Sequence, residues 1–409
     1  MQSQALSNLR VLELGQFVSA AYCTKLMADL GAEVIKIERP GLGDVARRCS
    51  PFANDDPDTE KSGLFLYLNT NKLGVTLNLE SSRGKKIFKE LIQDVDILVE
   101  NNSPGWMKGH GLDYESLSSI NPQLIMTSIT PFGQTGPYRD YKAYNINLVH
   151  GGGLGYLTTI VYPSHLYPRE CQGVPYTLGG RQAHLMAALN AAVASMSAIY
   201  YRQFAGEGQY IDISEHECIA SALEMTIPYW THQNEILQGE RAVLLAPVSL
   251  LPTKDGYVFL MCLEEHQWEK LVKLMGEPEW ARQEIFKDRW ARGQYWDALE
   301  LLLTDWFTQY TTEEIYKMGQ AARIPVVPAS TIKDLVESPH LNWRNFFVEI
   351  DHQMAGQHKY PGAPYKFAAA GWTAKRPAPM LGEHNQEIYC QRLGYSKADL
   401  LKLKAAGVV

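Results

Sequence analysis

Within residues 173–214 the apolar side chains Leu185, Leu189, Ala192, Val193, Met196, Ile199 and Tyr200 recur at intervals of three and four. That spacing predicts one long helix with an apolar face. Alanines and serines fill the other face and would let a second backbone come close, so burial on more than one side is expected. Gly206 and Gly208 predict the end of the helix, and Tyr210–Asp212–Ile213 a strand after it. Upstream, short apolar runs at 9–14, 33–37, 95–100 and 124–129 read as buried strands, and 82–93 as an amphipathic helix with Ile87, Phe88 and Ile92 inward. Two further strands are expected at 64–68 and 75–79. The first strand, a turn at Gly15 and Gln16, a helix and the second strand make a βαβ unit, whose crossover implies a parallel sheet with its crevice at the carboxyl ends of the strands.

Past residue 138 the periodicity fades, and Gly151–Gly152–Gly153 with Pro163, Pro168 and Pro175 predict a long functional or interface loop. Residues 217–238 read as helical, 248–251 and 257–261 as strands around a Lys254–Asp255–Gly256 turn, and 267–320 as Trp-rich helices. Beyond Pro325 the chain is extended and proline-rich until a last helix at 385–391. A chain of 409 residues implies about two or three domains. Its formal charge of −7 argues against nucleic acid as a partner while leaving room for a local cationic pocket. Six scattered cysteines without a Cys-x-x-Cys pair point to free thiols in a reducing compartment and to no zinc ribbon. With no leader-like segment and no apolar run of about 18 residues, the expected location is the cytoplasm, off the membrane. A dinucleotide site is disfavoured, because the first turn has one glycine and not Gly-x-Gly-x-x-Gly.

Several segments together resemble the family III CoA-transferases, the group of formyl-CoA transferase, carnitine CoA-transferase and α-methylacyl-CoA racemase. They are VLELGQFVSAAYCTKLMADLGAEVIKIERP, NTNKLGVTLNL, DILVENNSPG, GQTGPY, GEGQYIDIS and LGEHNQEI, in the family's order over nearly the whole chain. The resemblance implies an α/β fold: a large Rossmann-like domain built from both chain ends, a smaller α/β domain, and two subunits interlocked as rings. On that basis residues 1–225 form the N-terminal part of the large domain, 226–325 the small domain, and 326–409 an extended linker returning to the large one. The ligand implied is coenzyme A, as a thioester substrate, with no metal. Arg39 and Lys72 are expected at the nucleotide diphosphate and 3′-phosphate end, Asn101 along the pantetheine, and Gln16 and Lys142 are retained. By spacing alone Arg39 and Lys72 are equally surface cations.

In this family an aspartate attacks the acyl-CoA thioester and passes through a mixed anhydride to an aspartyl-CoA thioester. Counting back from Gly206 and Gly208–Gln209, its position here holds His184. The family's second acidic position falls on Asn145, a racemase histidine on Tyr144, and the glycine-rich active-site loop on Cys262–Leu263–Glu264–Glu265. A packed or hydrogen-bonded histidine in a disused pocket is the reading preferred over an acyl-imidazole, which could not carry CoA as a thioester. Glu170 is the nearest carboxylate upstream, on a stretch too loosely held for catalysis. The resemblance therefore implies a chain without the nucleophile, partnered by a homologous catalytic subunit. That arrangement occurs in the family for transferases acting on aryl-substituted succinates such as benzylsuccinate. The alternatives are a self-sufficient homodimeric CoA-transferase or isomerase, and a non-enzymatic CoA-binding scaffold.

Overall fold

Six strands form one parallel sheet: β1 (Arg10–Leu14), β2 (Glu33–Glu38), β3 (Leu73–Thr76), β4 (Ile97–Glu100), β5 (Ile125–Thr130) and β6 (Tyr210–Ser214), in the order β3-β2-β1-β4-β5-β6. The computed structural model describes residues 4–158, 176–224, 226–236 and 246–409. β3, β4 and β5 are buried along their whole length and β2 over all but its first residue, as strands covered on both faces must be, which is why they read as continuous apolar runs. The order reverses between β1 and β4, and that switch point is where an open α/β sheet places its ligand crevice.

The chain divides into two compact units. The larger joins Met1–Gly152, Gly179–Ala222 and Asn342–Val409, so both chain ends contribute to it. One face of its sheet packs around Ile87, Phe88 and Leu91 of the Ser82–Ile92 helix together with Tyr389 and Leu403 from the C-terminal end. The other face carries the Ser19–Asp29 helix and the 24-residue Gln182–Ala205 helix. The smaller unit, Gly153–Leu178 with Leu223–Leu341, holds the antiparallel sheet β7 (Val248–Pro252), β8 (Tyr257–Met261) and β9 (Val326–Pro328) against Trp268, Phe286 and Trp296. A hairpin of β10 (Phe347–His352) and β11 (Gly356–Pro361) belongs to the larger unit.

The expected strand at 64–68 is a helix, Gly63–Leu68. A five-residue apolar run does not distinguish the two by period; the ends decide. Ser62 accepts the Phe65 N–H, and Asn69 Nδ2 donates back to the Phe65 carbonyl. Residues 217–238 contain two helices, Glu215–Ala220 and Thr226–Gln233. A helix at Lys397–Ala405 follows the expected last one.

The long helix forms as predicted and is buried on more than one side, most completely along its face of small residues. Its buried positions are the small ones, Ala183, Ala187, Ala188, Ala191, Ser195 and Ala198 with Ile199, which let it lie close to β5 and to the Ser19–Asp29 helix. Leu185 and Met196 also pack against the core, whereas Leu189, Tyr200, Tyr201, Val193 and Phe204 point out, the last two 68% and 72% exposed. Its two terminal glycines act differently. Gly206 ends the helix at φ 76°, donating its N–H to the Arg202 carbonyl. Gly208 brings the chain against the sheet, since a Cβ there would lie 1.9 Å from the Leu124 carbonyl oxygen.

Candidate functional site

The β1 carboxyl end runs into Gly15–Gln16–Phe17, and this turn is fixed from three sides. Asn101 Oδ1 accepts the Gln16 N–H at 2.8 Å, and its Nδ2 donates to the Gln16 carbonyl and to Ser19 Oγ. Lys36 donates to the Gly15 carbonyl. Asp44 Oδ1 accepts the Phe17 N–H at 2.8 Å, which holds Phe17 at the unfavourable φ of 67°.

Beneath the turn lies a charge cluster closed to solvent. Glu13 pairs with Lys36 at 2.6 Å and Lys72 at 2.8 Å, and Lys36 also pairs with Asp44 Oδ2 at 2.7 Å. Burial by itself would raise the Glu13 carboxyl; Lys36 and then Lys72 outweigh it and hold the group at about 2. Burial lowers the Lys72 ammonium, which Glu13 raises and Lys36 lowers again, leaving it at about 8. Lys36 is kept above the usual lysine range, its burial outweighed by Asp44 and Glu13.

Lys72, expected at the nucleotide end, is fully buried. Its Nζ donates to Glu13, to the Ala21 carbonyl and to Asn69 Oδ1. An ammonium has three donors, all of them used here inside the protein, so none is left for a phosphate. Arg39 is exposed at the end of β2. It lines a cavity of about 170 Å³ together with Gln16, Glu38, Asn102 and Trp106, at the carboxyl ends of β1 and β2 beside the switch point. The arrangement suits a ligand with an anionic group for Arg39 and a flat ring for Trp106. Lys142 is exposed on the segment before the Asn145–Gly151 helix.

His184 is in the first turn of the long helix, and it is not a lone histidine. Nδ1 lies 2.9 and 3.0 Å from the two carboxylate oxygens of Glu215, a residue that sequence reasoning passed over. The side chains are 13% and 4% exposed. Glu215 opens the Glu215–Ala220 helix directly after β6, so the β6 register carries it to the start of the long helix. Phe17 meets the imidazole edge-on at 5.7 Å between centroids, and the Arg181 guanidinium lies 4.9 Å from the Phe17 ring. Asn145 has become a clasp: Oδ1 accepts the Ala183 N–H at 3.0 Å and Nδ2 donates to the Gly180 carbonyl. Tyr144 is 76% exposed. Glu170 lies outside the described residues. In the smaller unit, Cys262–Leu263–Glu264–Glu265 leads straight into the Glu265–Leu274 helix, whose box is closed by Glu264 and Gln267.

Gln16, Phe17, His184, Asn101, Asn145 and Arg39 thus all stand in the larger unit, four of them on or against one turn. Among the described residues no group of three or more His, Cys, Asp or Glu side chains could hold a metal ion.

Comparison with known proteins places this geometry. The chain is 33% identical over 421 aligned residues to the succinyl-CoA:(R)-benzylsuccinate CoA-transferase subunit BbsE of Thauera aromatica, covering 99% of this chain and 98% of that one. It is 31% identical to the succinyl-CoA–D-citramalate CoA-transferase of Chloroflexus aurantiacus, with 99% and 98% covered. A crystal structure of a CAIB/BAIF family protein from Brucella suis matches with a TM-score of 0.85 at 28% identity, over 95% of this chain and 100% of the other. The family model for CoA-transferase family III matches residues 6–385. The turn, the switch-point cavity and the helix bearing His184 are therefore parts of a member of CoA-transferase family III.

Proposed function

We propose that this chain is the subunit without the transfer nucleophile in a succinyl-CoA-dependent CoA-transferase, paired with a homologous catalytic subunit in an interlocked arrangement and acting on a dicarboxylic acid such as benzylsuccinate in the cytoplasm. The carrying observation is His184 at the aspartate position of an otherwise intact helix, glycine turn and strand. Imidazole cannot form the mixed anhydride that carboxylate exchange requires. Two relatives support a divided enzyme by their names, BbsE as a subunit and a 30% identical succinyl-CoA–L-malate CoA-transferase beta subunit of Chloroflexus aurantiacus. The exposed side of the long helix supplies an apolar surface for such a partner. In this reading Arg39 meets the CoA phosphates, Trp106 the adenine, and Gln16 with the Asn101-clamped turn the pantetheine. Lys142 is left to the acyl end.

The test is to express the chain alone and together with the product of its neighbouring gene, then measure native mass and succinyl-CoA-dependent CoA transfer. Activity only in the mixed assembly is expected, with hydroxylamine trapping an acyl group on the partner. Transfer by the chain alone would overturn the reading, and inactivity of every assembly would leave a scaffold. Glu215 favours one second reading, a self-sufficient transferase, because it sets a carboxylate 2.9 Å from the residue at the nucleophile position. Trapping on Glu215 would identify it.

A further inference from the structure

We propose that His184 and Glu215 form a general-base pair with which this chain hydrolyses an acyl-CoA thioester, a reaction separate from CoA transfer. It rests on the reading that the switch-point cavity takes CoA. A carboxylate only accepts hydrogen bonds, so the Nδ1 facing Glu215 carries the proton and the lone pair is left on Nε2. Among the described residues nothing is hydrogen-bonded to Nε2, and Glu215 has no cation besides the imidazole. A buried carboxylate in that position fixes the ring and stabilises the imidazolium as it forms. The Arg181 guanidinium lies across Phe17 from the ring.

The acid acceptor of a transferase is already ionised at neutral pH and has no proton for a base to remove. A base at this position is useful only to a protic nucleophile, and water is the one always present. In the step, water oxygen bonds to the thioester carbonyl carbon while Nε2 takes its proton. The resulting oxyanion faces the backbone N–H groups of Gln182 and His184 at the start of the long helix, which among the described residues have no acceptor. Collapse breaks the carbon–sulfur bond, and the proton on Nε2 passes to the leaving sulfur. Carboxylic acid and CoA thiol are the products, with no redox change. The route from the cavity is the turn itself, since Gln16 lines the cavity and Phe17 touches the imidazole.

The test uses the purified full chain with succinyl-CoA and no acceptor acid, following thiol release with a thiol-reactive dye and CoA binding by equilibrium dialysis. Wild type is expected to release thiol well above buffer background. His184→Gln should bind CoA yet fall about 10²-fold or more. Glu215→Gln should lower the release rate at saturating succinyl-CoA while leaving CoA binding unchanged, because the imidazolium loses its carboxylate; a merely structural glutamate would lower both together. Wild type that binds CoA but stays at buffer background, or release that survives His184→Gln, overturns the hydrolytic pair alone. Should His184→Gln not fold, an undiminished release rate in a Glu215→Gln variant that binds CoA overturns it equally. Failure of wild type to bind CoA would instead remove the CoA reading beneath it.

Discussion

Replacing Lys72 with methionine separates a ligand contact from a structural one. The substitution removes the ammonium while keeping most of the side-chain volume. Glu13 keeps Lys36 at 2.6 Å and Thr24 Oγ1 at 2.6 Å, so its charge remains partly matched. Asn69 Oδ1 loses the Lys72 donor, while the Ala21 carbonyl loses it but keeps the Thr24 hydroxyl. Each buried polar group left unpaired costs about 1–3 kcal/mol, and breaking a buried ion pair costs about 3–5 kcal/mol. Set against these, the ammonium no longer has to be desolvated, and the surviving Lys36 pair keeps the net cost near the lower end, about 3 kcal/mol. Hydrogen exchange on peptides covering β1 and β3 reads this locally and avoids treating a two-unit chain as one transition. Exchange there should quicken by about 10²-fold, one decade for each 1.36 kcal/mol. CoA affinity should change only as far as the Gly15–Gln16–Phe17 turn loosens. Unchanged exchange combined with lost CoA binding would refute the argument, because it would make Lys72 a phosphate ligand after all.

Glu13 also gives a pH dependence. Its carboxyl is at about 2 in the fold against 4.5 ordinarily, so its contribution is complete above about 4.5 and is lost as pH falls through 2. The full difference is about 3 kcal/mol, and Glu13→Gln should flatten the loss of β1 exchange protection between pH 5 and pH 3. Arg39→Glu should weaken CoA binding at least about 10-fold by dialysis, as a charge-assisted phosphate contact is replaced by repulsion; unaltered binding would put the phosphates elsewhere. Asn145→Ala should destabilise the start of the long helix by about 1 kcal/mol, seen as faster exchange at residues 182–185. Asn145→Asp should retain the acceptor for the Ala183 N–H and most of the protection. Gly208→Ala should prevent the native packing of β6, because its Cβ would meet the Leu124 carbonyl at 1.9 Å, and soluble yield reports it.

What could be read in the sequence was whatever local pattern decides. The strands at 9–14, 33–37, 95–100 and 124–129 and the long helix appear close to where their pattern put them, whereas the strand expected at 75–79 is Leu73–Thr76. The Gly63–Leu68 segment failed because its length is neutral between strand and helix, and the deciding Ser62 and Asn69 contacts lie outside the apolar run. The Lys397–Ala405 helix had a signal in Ser396 and Asp399, three apart as a capping box. The burial of Lys72 had none, since its partner Glu13 is 59 residues away and only the sheet brings them together. Glu215 was hidden in the same way. It stands 31 residues from His184 and reads locally as the first-turn acid of a Ser214-capped helix. On the long helix the close approach along the alanines and serines was legible, but the exposure of Leu189, Val193 and Tyr200 on the apolar face was not, because hydrophobicity alone ranks them as buried.

The exposed side of that helix has a consequence for the amount of the protein a cell would keep. A surface carrying Val193, Tyr200, Tyr201 and Phe204 in the open is one that chaperones and proteases recognise, and any assembly that covers it stabilises the folded chain by mass action. The steady amount of this protein would then follow the supply of whatever covers the helix more closely than its own rate of synthesis. A cell making the two in unequal amounts would degrade the excess, keeping their ratio matched after translation.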